Sequence, residues 1–201
     1  MDIQNLEKAL NSFMAGDIPV SDLARILIRV SRCDRIKYQD LASAVYGSAD
    51  EALLALWEYK LVIPVRSSRC SEWDSRILSA EPEEFYEMPN ISKTLVRKGI
   101  ETGTWDSTSA ILDLFQCMGE LEWEKMPALV LSIKKNIVHN TISGARIGVL
   151  CIQNKLKDKT GAMIAILKGG GIISPKLSAI SQTAKTGSPL YEFNPSVYAE
   201  L

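Results

Sequence analysis

Between Gly144 and Tyr198 the apolar positions change period. Ile147, Leu150, Cys151 and Leu156 recur at helical spacing and predict a helix over about residues 145–156. The polar turn Lys157-Asp158-Lys159 follows. Thr160 is placed to cap a second helix that carries Met163, Ile164, Ile166 and Leu167 inward. Gly169-Gly170-Gly171 stops that helix, because each glycine costs a helix about 1 kcal/mol and readily supplies a left-handed exit. The pattern then turns extended. Gly171-Ile172-Ile173-Ser174 reads as a strand, residues 181–188 as a loop rich in Ser, Thr, Lys and Gly, and Pro189 to Phe193 as a return strand.

The first half carries a similar pattern. Ile3, Leu6, Leu10 and Phe13 predict a short leading helix. A second helix follows, capped by Ser21 or Asp22, with Leu23, Ile26, Leu27 and Val30 on one face and Arg25, Arg29 and Arg32 on the other. Ile36-Lys37-Tyr38 is short and extended, and Gln39 to Tyr46 reads as a helix. Ser48 caps the next helix, ADEALLALWEYK, and Leu61 to Val65 reads as a strand. A polar loop leads to a return strand around Arg76-Ile77-Leu78. Residues 81–89, acidic and carrying two prolines, read as a linker. Three further helices are expected: Ile91–Ile100 ending at Gly103, Ser109–Met118 capped by Asp106 or Ser107, and Glu122–Val138 with Pro127 in its first turn.

The two halves align on Ala52–Pro64 and Ala162–Pro175, which differ by one inserted residue. Both pass from an apolar helix through a break into a β-branched strand that reaches a proline. Helix-turn-helix followed by a hairpin resembles the winged helix-turn-helix superfamily. The resemblance implies a mostly helical α+β chain of two winged-helix-like units joined by extra helices. The units would span residues 1–88 and 89–201. It further implies DNA binding, with the second helix of the pair in the major groove and the hairpin on the backbone.

Charge separates the halves although the net charge is −1. Residues 1–88 hold 10 Lys/Arg and 15 Asp/Glu, and residues 89–201 hold 13 and 9, about −5 against +4. From Lys134 to Lys185 there are nine basic residues and one acid, Asp158. Only the second half is therefore suited to a polyanion. Its expected DNA contacts are Lys155, Lys157, Lys159, Thr160 and Lys168 around the helix pair, with Lys176 and Lys185 in the hairpin. These supply phosphate affinity and salt dependence without sequence preference. The second helix, TGAMIAILK, has no Arg, Asn or Gln for base edges; Gln153, Asn154 and Arg146 lie nearby. In the first unit Asp50, Glu51 and Glu58 repel phosphate, partly offset by Arg66, Arg69 and Arg76, which points that unit toward protein contact, dimerisation or domain packing.

Other chemistry finds little support. Cys33, Cys70, Cys117 and Cys151 are scattered and His139 is the lone histidine, so neither metal, cofactor nor acid–base catalysis is expected. The cysteines are expected to be small buried hydrophobes. Ser132-Ile133-Lys134-Lys135 with two Lys-Thr-Gly triplets superficially resembles penicillin-binding enzymes, but the chain is too short and no Ser-Asp-Asn intervenes. The apolar run at Leu129–Ile133 meets Lys134-Lys135 and is too short to span a bilayer. The expectation is a cytoplasmic, non-enzymatic DNA-binding regulator acting as a homodimer. The alternative is an adaptor that uses the same units for protein assembly.

Overall fold

Short apolar stretches separated by polar turns give nine α-helices and six strands among the residues described. The computed structural model describes residues 2–14, 16–65, 72, 73, 76–156, 160–176 and 187–199. In chain order the elements are α1 (Asp2–Leu10), α2 (Val20–Ser31), β1 (Ile36–Lys37), α3 (Tyr38–Ala42), α4 (Ala49–Glu58), β2 (Ile63–Pro64) and β3 (Phe85–Glu87). There follow α5 (Asn90–Thr102), α6 (Ser107–Cys117), α7 (Met126–Lys134), β4 (Thr141–Ser143), α8 (Gly144–Gln153), α9 (Thr160–Gly169), β5 (Ile173–Pro175) and β6 (Leu190–Phe193). The chain is a mixed α+β, mostly helical protein with two small antiparallel sheets.

The two sheets are built alike. In the first the strand order is β1-β3-β2, and in the second β4-β6-β5, so the last strand of each unit lies at the centre. Each set runs helix, strand, helix, helix, strand, strand: α2 to β3, then α7 to β6. In the second sheet Ile142 faces Tyr191, and Ser174 faces Glu192.

Three helices lie outside this repeat. α1 packs on α2 and α5, and α5 packs on α6. Gly99 sits where α1 crosses α5; a Cβ there would meet Leu6 at 3.0 Å and Ala9 at 3.3 Å. Trp105, buried between α5 and α6, packs at a tilt against Phe13 with ring centroids 4.8 Å apart, and donates from Nε1 to the Ser196 carbonyl at 2.9 Å. Buried residues of both units form one continuous apolar cluster. A polar link crosses between the units as well, the Trp73 backbone N–H donating to Glu192 Oε1 at 2.8 Å, and Asn90 Nδ2 at the start of α5 donates to the Gly169 carbonyl.

The chain departs from the sequence expectations in several places. The return strand of the first sheet is Phe85–Glu87, not the stretch at Arg76–Leu78, so the acidic stretch 81–89 contributes the central strand. Tyr86 is fully buried there and its phenol bonds to the backbone of Ser79. α2 is preceded by Pro19 at the cap position. Asp22 lies inside the first turn and accepts from the Tyr46 and Gly47 N–H groups at 3.2 and 3.0 Å. The helix expected over Glu122–Val138 is a 3-10 turn followed by α7, which ends at Lys134. Beyond it lies β4, a strand where none was expected. Ser48 and Asp106 do cap α4 and α6, accepting from Glu51 and Ser109 N–H groups. Cys33 and Cys117 are exposed and, among the described cysteines, only Cys151 is buried, where burial pushes its thiol pKa up.

Candidate nucleic-acid interface

The start of the C-terminal helix pair is held by one local and one long-range bond. Ser143 Oγ accepts from the Arg146 N–H at 3.2 Å, and Ser188 Oγ accepts from the Ala145 N–H at 2.8 Å. The start of α8 is thereby tied to the hairpin that ends in β6. Gly148 lets α8 approach α9 closely, since a Cβ there would meet Thr160 at 3.2 Å. α8 ends through Lys155, whose φ is +60°. The Leu156 N–H then bonds back to the Cys151 carbonyl, and Leu156 is buried.

The expected contact residues are only partly gathered. Lys155 is exposed at the end of α8, and its carbonyl accepts from Lys125 Nζ at 3.2 Å. Thr160 is half-buried at the first residue of α9. Lys168 is exposed in the last turn of the same helix, about 12 Å farther along its axis. Lys176 leaves β5 half-buried, its N–H bonded to the Leu190 carbonyl. Lys157, Lys159 and Lys185 lie outside the described residues.

Between Thr160 and Lys168 the exposed side of α9 is Gly161, Ala162 and Ala165. This surface is small and carries no hydrogen-bonding side chain, so it cannot read base edges directly. Of the neighbouring polar groups, Gln153 is exposed, while Asn154 and Arg146 are engaged elsewhere. Asn154 Nδ2 turns back onto the Leu150 carbonyl at 2.8 Å. The Arg146 guanidinium donates twice to Asn136 Oδ1, at 3.1 and 2.6 Å. The sequence does not announce the exposed apolar residues of α8, Val149 and Ile152 at 42% and 60% exposure. Ile147, Leu150 and Cys151 set its inward face, and the outward face carries no periodic polar run against which these two would stand out.

The equivalent helix of the N-terminal unit is α4, and its exposed side carries Asp50, Glu51, Leu54 and Glu58. Asp50 accepts the Tyr38 hydroxyl, and this bond pushes the Tyr38 pKa up to about 12. Arg76 does not offset these acids. It is buried, donating from Nη1 to Glu87 Oε1 at 2.8 Å and to the Pro64 carbonyl at 2.9 Å, which fixes the first sheet. Arg66 and Arg69 lie outside the described residues. Half-buried Arg25 and exposed Arg29 and Arg32, along α2 and its C-cap, instead border an open groove. Their i, i+4, i+7 spacing is legible in the sequence, but it lies on the helix that precedes the pair, where the winged-helix resemblance places no contact.

One family model matches residues 4–201, nearly the whole length. The chain belongs to that family. The match takes in both repeats together with α1, α5 and α6, so the joining helices are as much part of the family's extent as the sheets. No curated protein matches the chain. Among the described residues no helix is long and apolar enough to cross a membrane, and no three His, Cys, Asp or Glu side chains converge as a metal site.

Proposed function

We propose that each helix–strand–helix–helix–strand–strand set is a winged helix, and that the chain is a cytoplasmic DNA-binding regulator whose C-terminal unit rests on the duplex backbone. The observation that carries this reading is the charge of that unit: nine basic residues against one acid from Lys134 to Lys185. Lys155 is exposed in the turn that precedes α9, and Lys168 in the last turn of that helix. Cations on either side of the smooth face of α9 suit phosphate contact, which fixes position without reading sequence. The repeat of element order and sheet order supports the winged-helix assignment. In this reading the N-terminal unit serves protein contact or dimerisation, since the acids on α4 repel phosphate.

A second reading is favoured by the bare face of α9 together with exposed Val149 and Ile152 on α8. Here both units serve protein assembly in an adaptor and neither meets DNA. Binding to random-sequence duplex DNA across a salt series separates the two. The wild-type chain is expected to bind with a steep salt slope and little preference among sequences. Changing Lys157, Lys159, Lys176 and Lys185 to Ala should flatten the slope by up to about 0.9 for each phosphate no longer neutralised. Absence of binding at low salt, or equal slopes for both proteins, would replace the DNA reading with the adaptor.

A further inference from the structure

Two rows on the N-terminal unit match in length and oppose in charge. Along α2 and its C-cap, half-buried Arg25 and exposed Arg29 and Arg32 fall at i, i+4 and i+7, a row about 10.5 Å long. They border a shallow groove of about 540 Å³ whose remaining walls include Ile3, Ile28 and Ala44. Arg29 and Arg32 are exposed and form no ion pair among the described residues. Arg25 lies over the Tyr46 ring at 4.2 Å. On α4, Glu51, Leu54 and Glu58 fall at i, i+3 and i+7, again about 10.5 Å. Both glutamates are exposed and, among the described residues, form no ion pair. Leu54 between them is 46% exposed.

The rows are also neighbours. Asp22 of α2 holds the Tyr46 and Gly47 N–H groups, Tyr46 carries Arg25, and Ser48 caps α4. The short turn 46–48 therefore separates the basic row from the acidic one. A two-fold axis passing near this turn would lay the α2 row of each copy on the α4 row of the other, so that one contact is made twice. Leu54 would then meet the apolar walls of the groove, and its flanking carboxylates the arginines on the rim.

We propose that this basic groove and acidic face form a self-complementary dimer contact between two copies of the chain. The proposal sharpens the assignment of the N-terminal unit to protein contact and is independent of the DNA reading, because none of its residues lies in the C-terminal unit. A second copy is the favoured occupant because the chain itself supplies a row of matching length, opposite charge and central apolar residue. The contact is charge-led, so it weakens from 0.1 to 1 M salt, roughly as the screening length falls from about 10 to about 3 Å.

The test is sedimentation of the full chain beside two charge-reversed variants, Arg29→Glu with Arg32→Glu and Glu51→Arg with Glu58→Arg. Circular dichroism melts accompany each, so that only folded proteins are compared. The wild type is expected to dimerise at low salt. Each variant alone should dissociate at least about tenfold more readily, since like charges then face one another. An equimolar mixture of the two should recover the dimer, because one of its two contacts keeps the wild-type pairing and the other pairs the reversed rows. A chain carrying all four changes should recover it too, and keeps the test decisive if one double variant does not fold. A monomeric wild type at low salt overturns the proposal. So do variants that dimerise like the wild type, or a folded four-change chain that stays monomeric. DNA retention of the same proteins is read separately and leaves the dimer result unaffected.

Discussion

At Gly171 two constraints meet. Its φ is +74°, and a Cβ there would lie 2.7 Å from that of Pro89, the residue that leads into α5. The backbone needs the left-handed region just where the C-terminal unit touches the start of α5. Gly171→Ala is therefore expected to lose about 2–4 kcal/mol, from the left-handed conformation and from overpacking together. Gly161 is the control. It lies in the first turn of α9, where an added Cβ would have nothing within 4 Å, so Gly161→Ala should be neutral or stabilising by up to about 1 kcal/mol. Urea unfolding of both variants checks the contrast. Comparable losses at the two sites would mean that Pro89 does not limit Gly171. The glycine run is legible in the sequence as a helix stop, but its separate duties are not. Gly170 faces Leu114 and Phe115, and Gly171 faces Pro89, and both depend on which distant chain arrives.

At the scale of elements, helices with strong apolar faces are legible and short strands are not. α2, α4, α5 and α6 follow from their spacing and from Ser48, Gly103 and Asp106 at their ends. β4 is three residues long, and the turn before it uses His139 and Asn140 at φ 48° and 57° in place of glycine. Asn140 also bonds to Phe193, a partner 53 residues away. β3 is hidden because an acidic sequence beside prolines resembles a linker, while Tyr86 alone supplies its buried side. The candidate lysine site is only half legible: the charge run is local, but the bare face of α9 emerges only once the helix is oriented. α3 and α4 carry a pH-dependent link. The Tyr38 pKa is raised from the ordinary 10 to about 12 through its bond to Asp50. That bond stabilises the fold fully below about pH 10 and is lost as pH rises toward 12, where the folded state holds a proton that the unfolded state has released. Thermal melts over this range should decline less steeply in Tyr38→Phe than in the wild type. Burial also raises Tyr86, Tyr191 and Tyr198, so the difference between the two proteins carries the Tyr38 contribution. Parallel curves would show that the bond adds nothing.

Across the whole molecule the repeat is symmetric but the packing is not. The N-terminal sheet ends at Glu87, yet α1 leans on α5, which begins at Asn90. Ile91, Leu95 and Val96 of α5 are fully buried and together contribute roughly 5–9 kcal/mol of apolar burial. That is comparable with the net stability of an ordinary domain. A fragment of residues 1–88 is therefore expected to melt without a cooperative transition, while the whole chain melts in one step. Calorimetry of the two decides the point, and a sharp transition in the fragment would show that α1 and α2 suffice. The other end is secured similarly. Asn194 holds the Gly171 carbonyl, the Tyr198 N–H donates to Ser107 Oγ, and Val197 and Tyr198 are buried. The placing of α1 against α5 has a consequence for a chain that leaves the ribosome amino end first. Leu6 and Leu10 emerge some ninety residues ahead of Gly99 and its neighbours, which cover them. During synthesis the first helix is thus a sticky, unfinished surface, and it is then that a chaperone would find the chain most exposed.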